Sequence, residues 1–391
     1  MKDVVIVGAT RTPIGDFGGA LRDQSAVTMA GIVLESLIKR TNLEKNAVDR
    51  VILGNCFEPV DQNVARIALV KSGFPFETTA FHIVATCGSG AQAIICGVQA
   101  IRDGDVDTII TGGSDNMSSA PYLLKSARWG QRLRHGELTD LVWKGMQEPS
   151  IGDGMGITAE NLAEKYQISR EEQDQLALLS QQRACKAIES GRFKDEITPV
   201  SIPQRKGDPK VVDTDEFPKS GVTLEKLAKL PAAFKKGGTV TAGNACGLND
   251  GAAGLVLMAA DKAKAMGLKP MARVASYAVA GVDPSYMGIG PVPATKLALK
   301  KAGMALNDVQ LIECNEAFAA QYLACEKELG WNRDITNVNG SGISLGHPVG
   351  ATGARLVVTL LHEMSKRDLS VGLTTMCAGG GQGFTIIVER N

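Results

Sequence analysis

Hydrophobic and polar positions alternate along this chain with two different periods. Short runs rich in β-branched residues, at positions 4–7, 51–53 and 108–111, predict buried strands. Between the second and third runs, apolar residues recur at helical spacing and predict a helix with one apolar face. Strands that alternate with helices in this way predict an α/β fold with largely buried sheets. The apolar positions of this helix are Ala91, Ile94, Ile95, Val98 and Ile101.

The two ends of the chain carry similar segments in the same order. Cys87 and His347 each precede a Gly-rich helix start, and two further pairs of segments have about the same separation. We interpret this order as a duplicated α/β unit. The alternative is that Gly-rich turns recur by chance, as they can in any α/β protein. The similar segments are residues 51–55 with 311–315, and residues 110–113 with 376–379.

The composition argues against several classes of protein. The chain has 391 residues, of which 44% are hydrophobic, so it can bury a large core and form roughly two to three domains. Its 42 basic and 42 acidic residues balance, which argues against a surface built to coat nucleic acid or an anionic membrane. No run of about 18 apolar residues occurs, so we expect no membrane-spanning helix.

The cysteines indicate a reducing compartment rather than a disulfide framework or a zinc site. There are eight, scattered without a CxxC pair, and the apolar run near the N-terminus is too short for a signal peptide. We therefore expect a cytoplasmic protein without a metal site. Any histidine chemistry must come from His82, His135, His347 or His362, because the chain has only these four histidines.

The middle of the chain, from about residue 119 to residue 248, differs from the two ends. It is richer in charge and contains a basic turn at residues 205–210. We interpret it as an excursion on the surface of the first half. Its predicted helix at residues 171–190 is polar enough to be mostly solvated.

Cys87 lies between a predicted strand and the helix that follows Gly88, Ser89 and Gly90. A thiol at that place faces the unpaired N–H groups and the positive end of the helix, which favour the thiolate. We therefore expect a lowered pKa, and a shift of about two units is worth roughly 2.7 kcal/mol. The small neighbours let a substrate approach the backbone. The alternative is a packed core cysteine.

Three further candidate side chains lie beside turns or strand ends. His347 precedes a Gly-rich turn that opens a helix, where an imidazole tends to stay neutral; the alternative is a helix-capping histidine. Cys377 precedes Ala378 and three glycines, which leave room for a ligand, although the same turn could hold an inert cysteine. Asn315 closes a predicted strand and could be a simple N-cap.

These four residues belong to four motifs whose order along the chain is informative. The motifs are Cys-Gly-Ser-Gly, Asn-Glu-Ala-Phe-Ala, Gly-His-Pro-x-Gly-Ala-Thr-Gly and Cys-x-Gly-Gly-Gly-x-Gly. Together they resemble the thiolase family, and residues 118–122 and 238–245 are also similar to segments of that family. The resemblance covers essentially the whole chain and is closest to bacterial acetyl-CoA acetyltransferases and short-chain β-ketothiolases.

The resemblance implies a role for each candidate catalytic residue. Cys87 would be the nucleophile that takes the acyl group, and His347 would deprotonate it and then help to hold the thioester oxygen. Cys377 would be the acid/base of the second half-reaction. Asn315 would position a water that forms an oxyanion hole with His347, and the N–H groups of Cys87 and Gly379 would form a second hole. A covalent acyl-cysteine predicts ping-pong kinetics.

The resemblance also implies a fold and a mode of binding. The fold is α/β, with duplicated βαβαβαββ halves in a five-layer α-β-α-β-α arrangement and an inserted loop domain. Residues 1–118 with 249–268 would form the N-terminal half, residues 119–248 the loop domain that binds CoA, and residues 269–391 the C-terminal half. Coenzyme A thioesters would be substrates, with no bound cofactor. The implied substrate- and CoA-binding residues are Met155, Lys219, Phe234, Ala242, Cys246, Met287 and Phe318.

The partners that the resemblance implies are acyl-CoA substrates and further copies of the chain. Proteins of this kind are homodimers or homotetramers. Residues 122–141 resemble the loop that pairs dimers into tetramers, so a tetramer is favoured. We expect no nucleic acid and no membrane among the partners.

The chain departs from the family's pattern at five positions, none of which removes a catalytic group. Val84 and Gly154 replace an asparagine and a histidine near the acyl group, which predicts a wider, drier pocket that tolerates longer acyl chains. Cys246 replaces a serine near the pantetheine, and a thiol is a poorer hydrogen-bond donor than a hydroxyl group. The other two departures are Cys314 for alanine and Lys219 for arginine.

Two alternative functions compete with the expected one. A ketosynthase of the same fold normally lacks a second catalytic cysteine in a Cys-x-Gly-Gly-Gly turn, so Cys377 argues against it. The other alternative is a non-catalytic carrier of CoA or lipid, which the retention of all four catalytic positions disfavours. We expect an acetyl-CoA C-acyltransferase that condenses acetyl-CoA with an acyl-CoA, or thiolytically cleaves a 3-ketoacyl-CoA such as acetoacetyl-CoA.

Overall fold

Strands and helices alternate in both halves of the chain, as the hydrophobic pattern predicts. The computed structural model describes residues 2–58, 60–133, 135–148 and 153–390. The strands, numbered in chain order, are β1 (Val4–Arg11), β2 (Gly15–Asp16), β3 (Arg50–Gly54), β4 (Thr79–Ile83), β5 (Thr108–Asn116), β6 (Tyr122–Leu123), β7 (Thr139–Asp140), β8 (Gln147–Glu148), β9 (Asp153–Gly154), β10 (Val200–Ile202), β11 (Lys210–Val212), β12 (Asn249–Ala259), β13 (Ala272–Gly281), β14 (Leu311–Cys314), β15 (Val371–Ala378) and β16 (Gln382–Glu389).

The helices begin and end at residues suited to those places. Ser169 and Glu172 form a capping box at the start of one long helix, and Gly104 ends another in the left-handed region. None of the helices in the described ranges is long and apolar enough to cross a membrane. The α-helices are α1 (Ala26–Thr41), α2 (Val64–Lys71), α3 (Ser89–Asp103), α4 (Leu141–Gly145), α5 (Met155–Lys165), α6 (Arg170–Glu189), α7 (Leu224–Ala228), α8 (Ala260–Ala265), α9 (Pro291–Ala302), α10 (Ala319–Leu329), α11 (Gly342–Leu345) and α12 (Thr352–Arg367).

The largest sheet has ten strands in the order β14-β15-β16-β13-β1-β12-β5-β3-β4, with β2 beside β12. Pairing is parallel between β14 and β15 and between β3 and its two neighbours, and antiparallel elsewhere. Only two residue pairs join β1 to β13, Val5 with Arg273 and Ile6 with Ala272. The sheet therefore consists of an N-terminal and a C-terminal part with a short connection between them.

Helices cover both faces of each part and give the predicted five layers. Leu255 and Leu257 of β12 pack with α3 and α12 in one core cluster, whereas Val256 and Met258 pack with α1 and α2 in another. The same alternation occurs on β15, where Met376 faces the central helices. The central layer thus contains α3 and α12, and the outer layers contain α1 with α2 and α9 with α10.

The order of elements confirms the duplicated unit. The N-terminal half runs β1-α1-β3-α2-β4-α3-β5-β12, and the C-terminal half runs β13-α9-β14-α10-α12-β15-β16. The counterpart of β4 is reduced to a single parallel bridge between Ile312 and Thr336. Cys87 and His347 lie at matching places, each just before the central helix of its half.

The middle segment packs differently from the prediction. Its helices α5 and α6 contact α10 and α11, so they lie against the second half of the chain rather than only on the first. The prediction that α6 is mostly solvated is wrong, because this helix buries eight of its 20 residues. Polar side chains can be buried there because they are bonded: Ser180 Oγ lies 2.6 Å from Glu316 Oε2, and Gln181 donates to the carbonyl group of Ile343 at 3.2 Å.

Candidate active site

A mostly apolar cavity of about 150 Å³ lies at the ends of the central helices. Its wall contains Cys87, His347 and Gly379, three of the five predicted catalytic residues. Both halves of the chain and the middle segment contribute to it. It is several times larger than the share of one water in the liquid, about 30 Å³, so an acyl group can enter it.

The turn that carries Cys87 is held in an unusual conformation. Thr86 has φ +48°, a left-handed value that a non-glycine residue keeps only where its surroundings enforce it. The hydroxyl group of Ser89 accepts from the N–H of Ala85 at 2.8 Å and donates to the carbonyl group of Thr86 at 2.6 Å. These bonds fix the backbone of Cys87 at the start of α3.

The thiol of Cys87 is a weaker acid than its sequence context predicts. Burial raises its pKa to about 11, even though the backbone N–H groups of Gly379 and of Cys87 itself hydrogen-bond the sulfur and lower the pKa. The expected lowered pKa is therefore wrong, because desolvation of the thiolate outweighs the helix end and the two N–H groups. A neighbouring base must take the proton as the sulfur reacts.

His347 is arranged as that base. The hydroxyl group of Thr352 donates to the carbonyl group of Pro348 at 2.9 Å and lies 2.7 Å from Nδ1 of His347. With the hydroxyl proton of Thr352 on Pro348, the contact at Nδ1 is a hydrogen bond only if the imidazole carries its proton there, and Nε2 is then unprotonated. Burial, and to a smaller extent Arg355, lowers the pKa of His347 to about 3. The ring is thus neutral, as its turn predicts.

Nε2 of His347 is buried and has no hydrogen-bond partner among the described residues. Because His347 lines the same cavity as Cys87, this nitrogen is available to a group that enters the cavity. The main chain of His347 is held by a bond from its N–H to Oδ1 of Asn249 at 2.9 Å. An unpaired buried acceptor of this kind is expected where a substrate or a water completes the site.

Cys377 lies at the end of β15 and is fully buried. Burial raises its pKa well above the ordinary value, and the charges of Cys87 and two further thiols raise it further. Cys377 is thus near enough to Cys87 for the charge of one thiolate to affect the ionisation of the other. It lies behind the cavity wall rather than in it.

Asn315 follows β14 and does not cap a helix, since α10 begins at Ala319 after Phe318. Its main-chain N–H donates to Thr375 at 3.0 Å, but neither polar atom of its buried side chain has a partner among the described residues. A buried polar group left unpaired costs about 1–3 kcal/mol. The amide therefore fits a place where a water molecule is held.

The predicted binding residues divide into two groups. Met155, Phe234, Cys246, Met287 and Phe318 line the cavity, and the rings of Phe234 and Phe318 meet edge to face with centroids 6.0 Å apart. Burial raises the pKa of Cys246 to about 12, so it presents a neutral thiol. The other two residues, Lys219 and Ala242, lie outside the cavity wall.

The two departures expected to widen the pocket lie in different places. Gly154 lines the cavity, and among the described residues a Cβ atom added there would meet only the side chain of Gln147, at 3.8 Å. Val84 is 65% exposed and does not line the cavity, so the expectation that it dries the pocket is not supported.

Thr352 and Glu148 contact the catalytic turns and are among the residues that sequence reasoning missed. Thr352 stands in the same motif as His347, five residues later and at the first position of α12, and its place in that motif is the signal that could have identified it. Glu148 accepts from the N–H of Gly380 at 2.5 Å. No local pattern indicates that contact, because the two residues are far apart in sequence.

Two family models match the chain and together cover nearly all of it. Residues 4–261 match the one described as the thiolase N-terminal domain, and residues 268–390 match the thiolase C-terminal domain. An acetyl-CoA acetyltransferase of Pseudomonas aeruginosa is 54% identical over 393 residues, which cover 100% of both chains. An acetyl-CoA acetyltransferase of Escherichia coli is 51% identical over 393 residues, with 100% coverage of both.

Solved structures agree with these similarities. The crystal structure of the Bacillus anthracis acetyl-CoA acetyltransferase superposes with a TM-score of 0.98 at 51% identity, covering 100% of this chain and 99% of that one. The human mitochondrial 3-ketoacyl-CoA thiolase in complex with CoA superposes with a TM-score of 0.96 at 41% identity, covering 100% and 98%.

Proposed function

Since the chain belongs to the thiolase family, we propose that it transfers acyl groups between coenzyme A thioesters through an acyl group carried on Cys87. It is an acetyl-CoA C-acyltransferase that condenses acetyl-CoA with an acyl-CoA, or thiolytically cleaves a 3-ketoacyl-CoA such as acetoacetyl-CoA. Full-length relatives named acetyl-CoA acetyltransferases support a catalytic enzyme and not a non-catalytic carrier.

The observation that carries the mechanism is the buried Nε2 of His347, which has no partner among the described residues and lies in the wall of the same cavity as the thiol of Cys87. In the first half-reaction, Nε2 takes the thiol proton as the sulfur attacks the thioester carbonyl, because a free thiolate is costly at a pKa of about 11. The N–H groups of Cys87 and Gly379 hold the resulting oxyanion. Cys377 gives its proton to the departing CoA sulfur, which completes acylation and leaves Cys377 as a thiolate, while His347 keeps the Cys87 proton until that sulfur leaves in the second half-reaction.

In the second half-reaction, Cys377 exchanges a proton with the other substrate. In condensation, its thiolate removes a C2 proton from acetyl-CoA, and in thiolysis it takes the proton of the attacking CoA thiol. Its raised pKa supports this role, since a thiol of high pKa is a strong base once ionised. The enolate oxygen would be held by His347 and a water on Asn315, whose side-chain amide has no partner among the described residues.

The middle segment, residues 119–248, is proposed as the part that binds coenzyme A, with residues 1–118 and 249–268 as the N-terminal half and 269–391 as the C-terminal half. It contributes Met155 and Phe234 to the cavity wall. CoA extends well beyond its acyl thioester, so residues outside the cavity can contact its remote end. We propose this for the two predicted residues outside the wall, Ala242, which is exposed, and Lys219, whose ammonium lies 5.1 Å from the ring centroid of Phe217.

A homo-oligomer is proposed from two exposed surfaces. The edge strand β4 leaves Phe81 exposed at 41%, and Val84 is exposed just after it, an arrangement that favours pairing with another strand. Residues 122–141 expose further large apolar side chains, including Trp129 at 89%. Two separate apolar surfaces support a tetramer over a dimer. All eight cysteines are free thiols, which supports the cytoplasm as the proposed location.

The cleavage of acetoacetyl-CoA in the presence of CoA tests the proposed function. The purified protein should consume acetoacetyl-CoA, followed by the loss of its enolate absorbance, and should produce two acetyl-CoA per cleavage. The variant Cys87→Ser, which keeps a similar shape, is the matched control and should be inactive with an unchanged circular dichroism spectrum. Absence of cleavage by the unmodified protein at high enzyme concentration contradicts the proposal.

A further inference from the structure

One peptide group beside the oxyanion donor is held at both polar ends by side chains from distant parts of the chain. The group joins Gly379 to Gly380. Its carbonyl oxygen accepts a hydrogen bond from the hydroxyl group of Thr86 at 3.1 Å. Its N–H donates to the carboxylate of Glu148 at 2.5 Å. Neither side chain belongs to the predicted set of catalytic and binding residues.

This peptide group needs such restraint because its own residues supply little. Gly380 has φ +82° and is followed by Gly381 at φ +75°, a region that only glycine enters readily. Consecutive glycines leave the backbone free to rotate between alternative conformations. The first residue of this peptide, Gly379, lines the cavity together with Cys87, and its N–H lowers the pKa of the Cys87 thiol. Although the N–H of Gly379 belongs to the preceding peptide group, a loose Gly379–Gly380 peptide would leave Gly379 free to shift, and with it the N–H that faces the cavity.

We propose that Thr86 and Glu148 are positioning residues that lock the Gly379–Gly380 peptide and so keep the N–H of Gly379 directed at the sulfur of Cys87. The effect of this restraint on oxyanion binding rests on the proposed function, whereas its effect on the pKa of the Cys87 thiol does not. Thr86 lies directly before the nucleophile and shares its hydroxyl proton between Gly379 and the carbonyl group of Ala85 at 2.8 Å. It thereby ties the two catalytic turns to each other.

Glu148 acts from the opposite side. Glu148 is the last residue of β8, which pairs with β9, and it is 1% exposed. Gln147 of β8 and Gly154 of β9 line the cavity. A carboxylate is seldom buried unless donors surround it, and a charge-assisted bond to a backbone N–H is among the stronger ones. The hairpin of the middle segment therefore holds the turn that follows Cys377.

The test compares variants that remove each bond with variants that keep it. Thr86→Val and Glu148→Met remove the hydroxyl group and the carboxylate oxygen at similar size, whereas Thr86→Ser and Glu148→Gln retain a donor and an acceptor. We expect the first pair to lower kcat for acetylation at least about tenfold, or about 1.4 kcal/mol, with KM little changed. The kcat values of Thr86→Ser and Glu148→Gln should stay within about threefold of that of the unmodified protein.

The double variant Thr86→Val/Glu148→Met provides a check on the shared target. Because both side chains hold one peptide group, loss of either frees it, and the second loss should add little. The fall in kcat for the double variant should therefore be much smaller than the product of the two single effects. Multiplicative effects would show that the two residues act separately, which overturns the proposal.

A second readout does not depend on turnover. Alkylation of Cys87 by iodoacetamide at pH 8 reports its thiolate fraction. Loss of the Gly379 N–H contact should raise the thiol pKa and slow alkylation about three- to tenfold in Thr86→Val and Glu148→Met, but not in Thr86→Ser or Glu148→Gln. If Glu148 acted through its charge alone, its removal would accelerate alkylation in both Glu148 variants.

The outcomes separate the two proposals. Slowed alkylation of Cys87 in Thr86→Val, without cleavage of acetoacetyl-CoA by the unmodified protein, would leave the positioning role intact and remove the proposed function. Unchanged alkylation and unchanged kcat in Thr86→Val overturn the positioning role, whatever the stability of Glu148→Met. Thr359→Val serves as the control, since it removes a buried hydroxyl group, bonded to Glu196 at 3.1 Å, that does not line the cavity.

Discussion

Replacement of Thr352 by valine removes the group that fixes the proton of His347 on Nδ1. The hydroxyl oxygen lies 2.7 Å from Nδ1, and the imidazole is buried, so no water replaces the lost partner easily. With valine, either the Nδ1 proton stays unpaired or it moves to Nε2. In the second tautomer Nε2 cannot accept the proton of Cys87.

The magnitude follows from the penalty on the active tautomer. A buried donor left without an acceptor costs about 1–3 kcal/mol. If the active tautomer of His347 becomes less stable by that amount, acylation slows about 5- to 150-fold, with little change in KM. Thr352→Ser keeps the hydroxyl group and should recover most of the rate.

The assay is the single-turnover acetylation rate measured with saturating acetyl-CoA. Thr359→Val is the matched control, because it makes the same change in the same helix, at a buried hydroxyl group bonded to Glu196. It should lower stability without lowering the acetylation rate. An acetylation rate for Thr352→Val within about twofold of the control would refute the reasoning that the Thr352 hydroxyl group sets the tautomer of His347.

Three further predictions concern the second half-reaction, the pH dependence and the acyl chain. Cys377→Ala should still become acetylated on Cys87 but should neither condense nor cleave, and turnover near the unmodified rate would exclude Cys377 as the acid/base. Because burial lowers the pKa of His347 to about 3, protonation should not inactivate it near its ordinary value of 6.5. The rate of acetylation should therefore show no inflection between about pH 5.5 and 8, and a limb near 6.5 would contradict this. Because a Cβ atom at Gly154 would meet only Gln147 within the described part of the chain, kcat/KM for 3-ketovaleryl-CoA and 3-ketohexanoyl-CoA should fall less than about a hundredfold per added carbon relative to acetoacetyl-CoA.

The fold could be predicted from the sequence where one face of an element repeats a simple period. The alternation on β12, with Leu255 and Leu257 toward one layer of helices and Val256 and Met258 toward the other, follows from the period of two. The burial of α6 could not be predicted, because its buried face uses residues such as Gln181 whose partners come from another part of the chain. Hydrophobic periodicity contains no information about such polar contacts.

The candidate site, like the fold, could be predicted from the sequence only in part. The ordered motifs predicted that Cys87 and His347 act together, and both residues line one cavity. They meet there because each lies just before the central helix of its half. The pKa of Cys87 was predicted in the wrong direction, because helix position is visible in the sequence whereas desolvation by the folded chain is not. The contacts of Glu148 and Thr86 with one peptide group depend on three segments meeting in space.

The central claim is that Cys87 carries the acyl group. Mass spectrometry of the intact protein and its peptides, after mixing with acetyl-CoA and rapid acid quenching, tests it most directly. We expect one added acetyl group, located on Cys87, that is absent from Cys87→Ser and is removed when CoA is added back. An acetyl group on another cysteine, with Cys87 unmodified, would contradict the account.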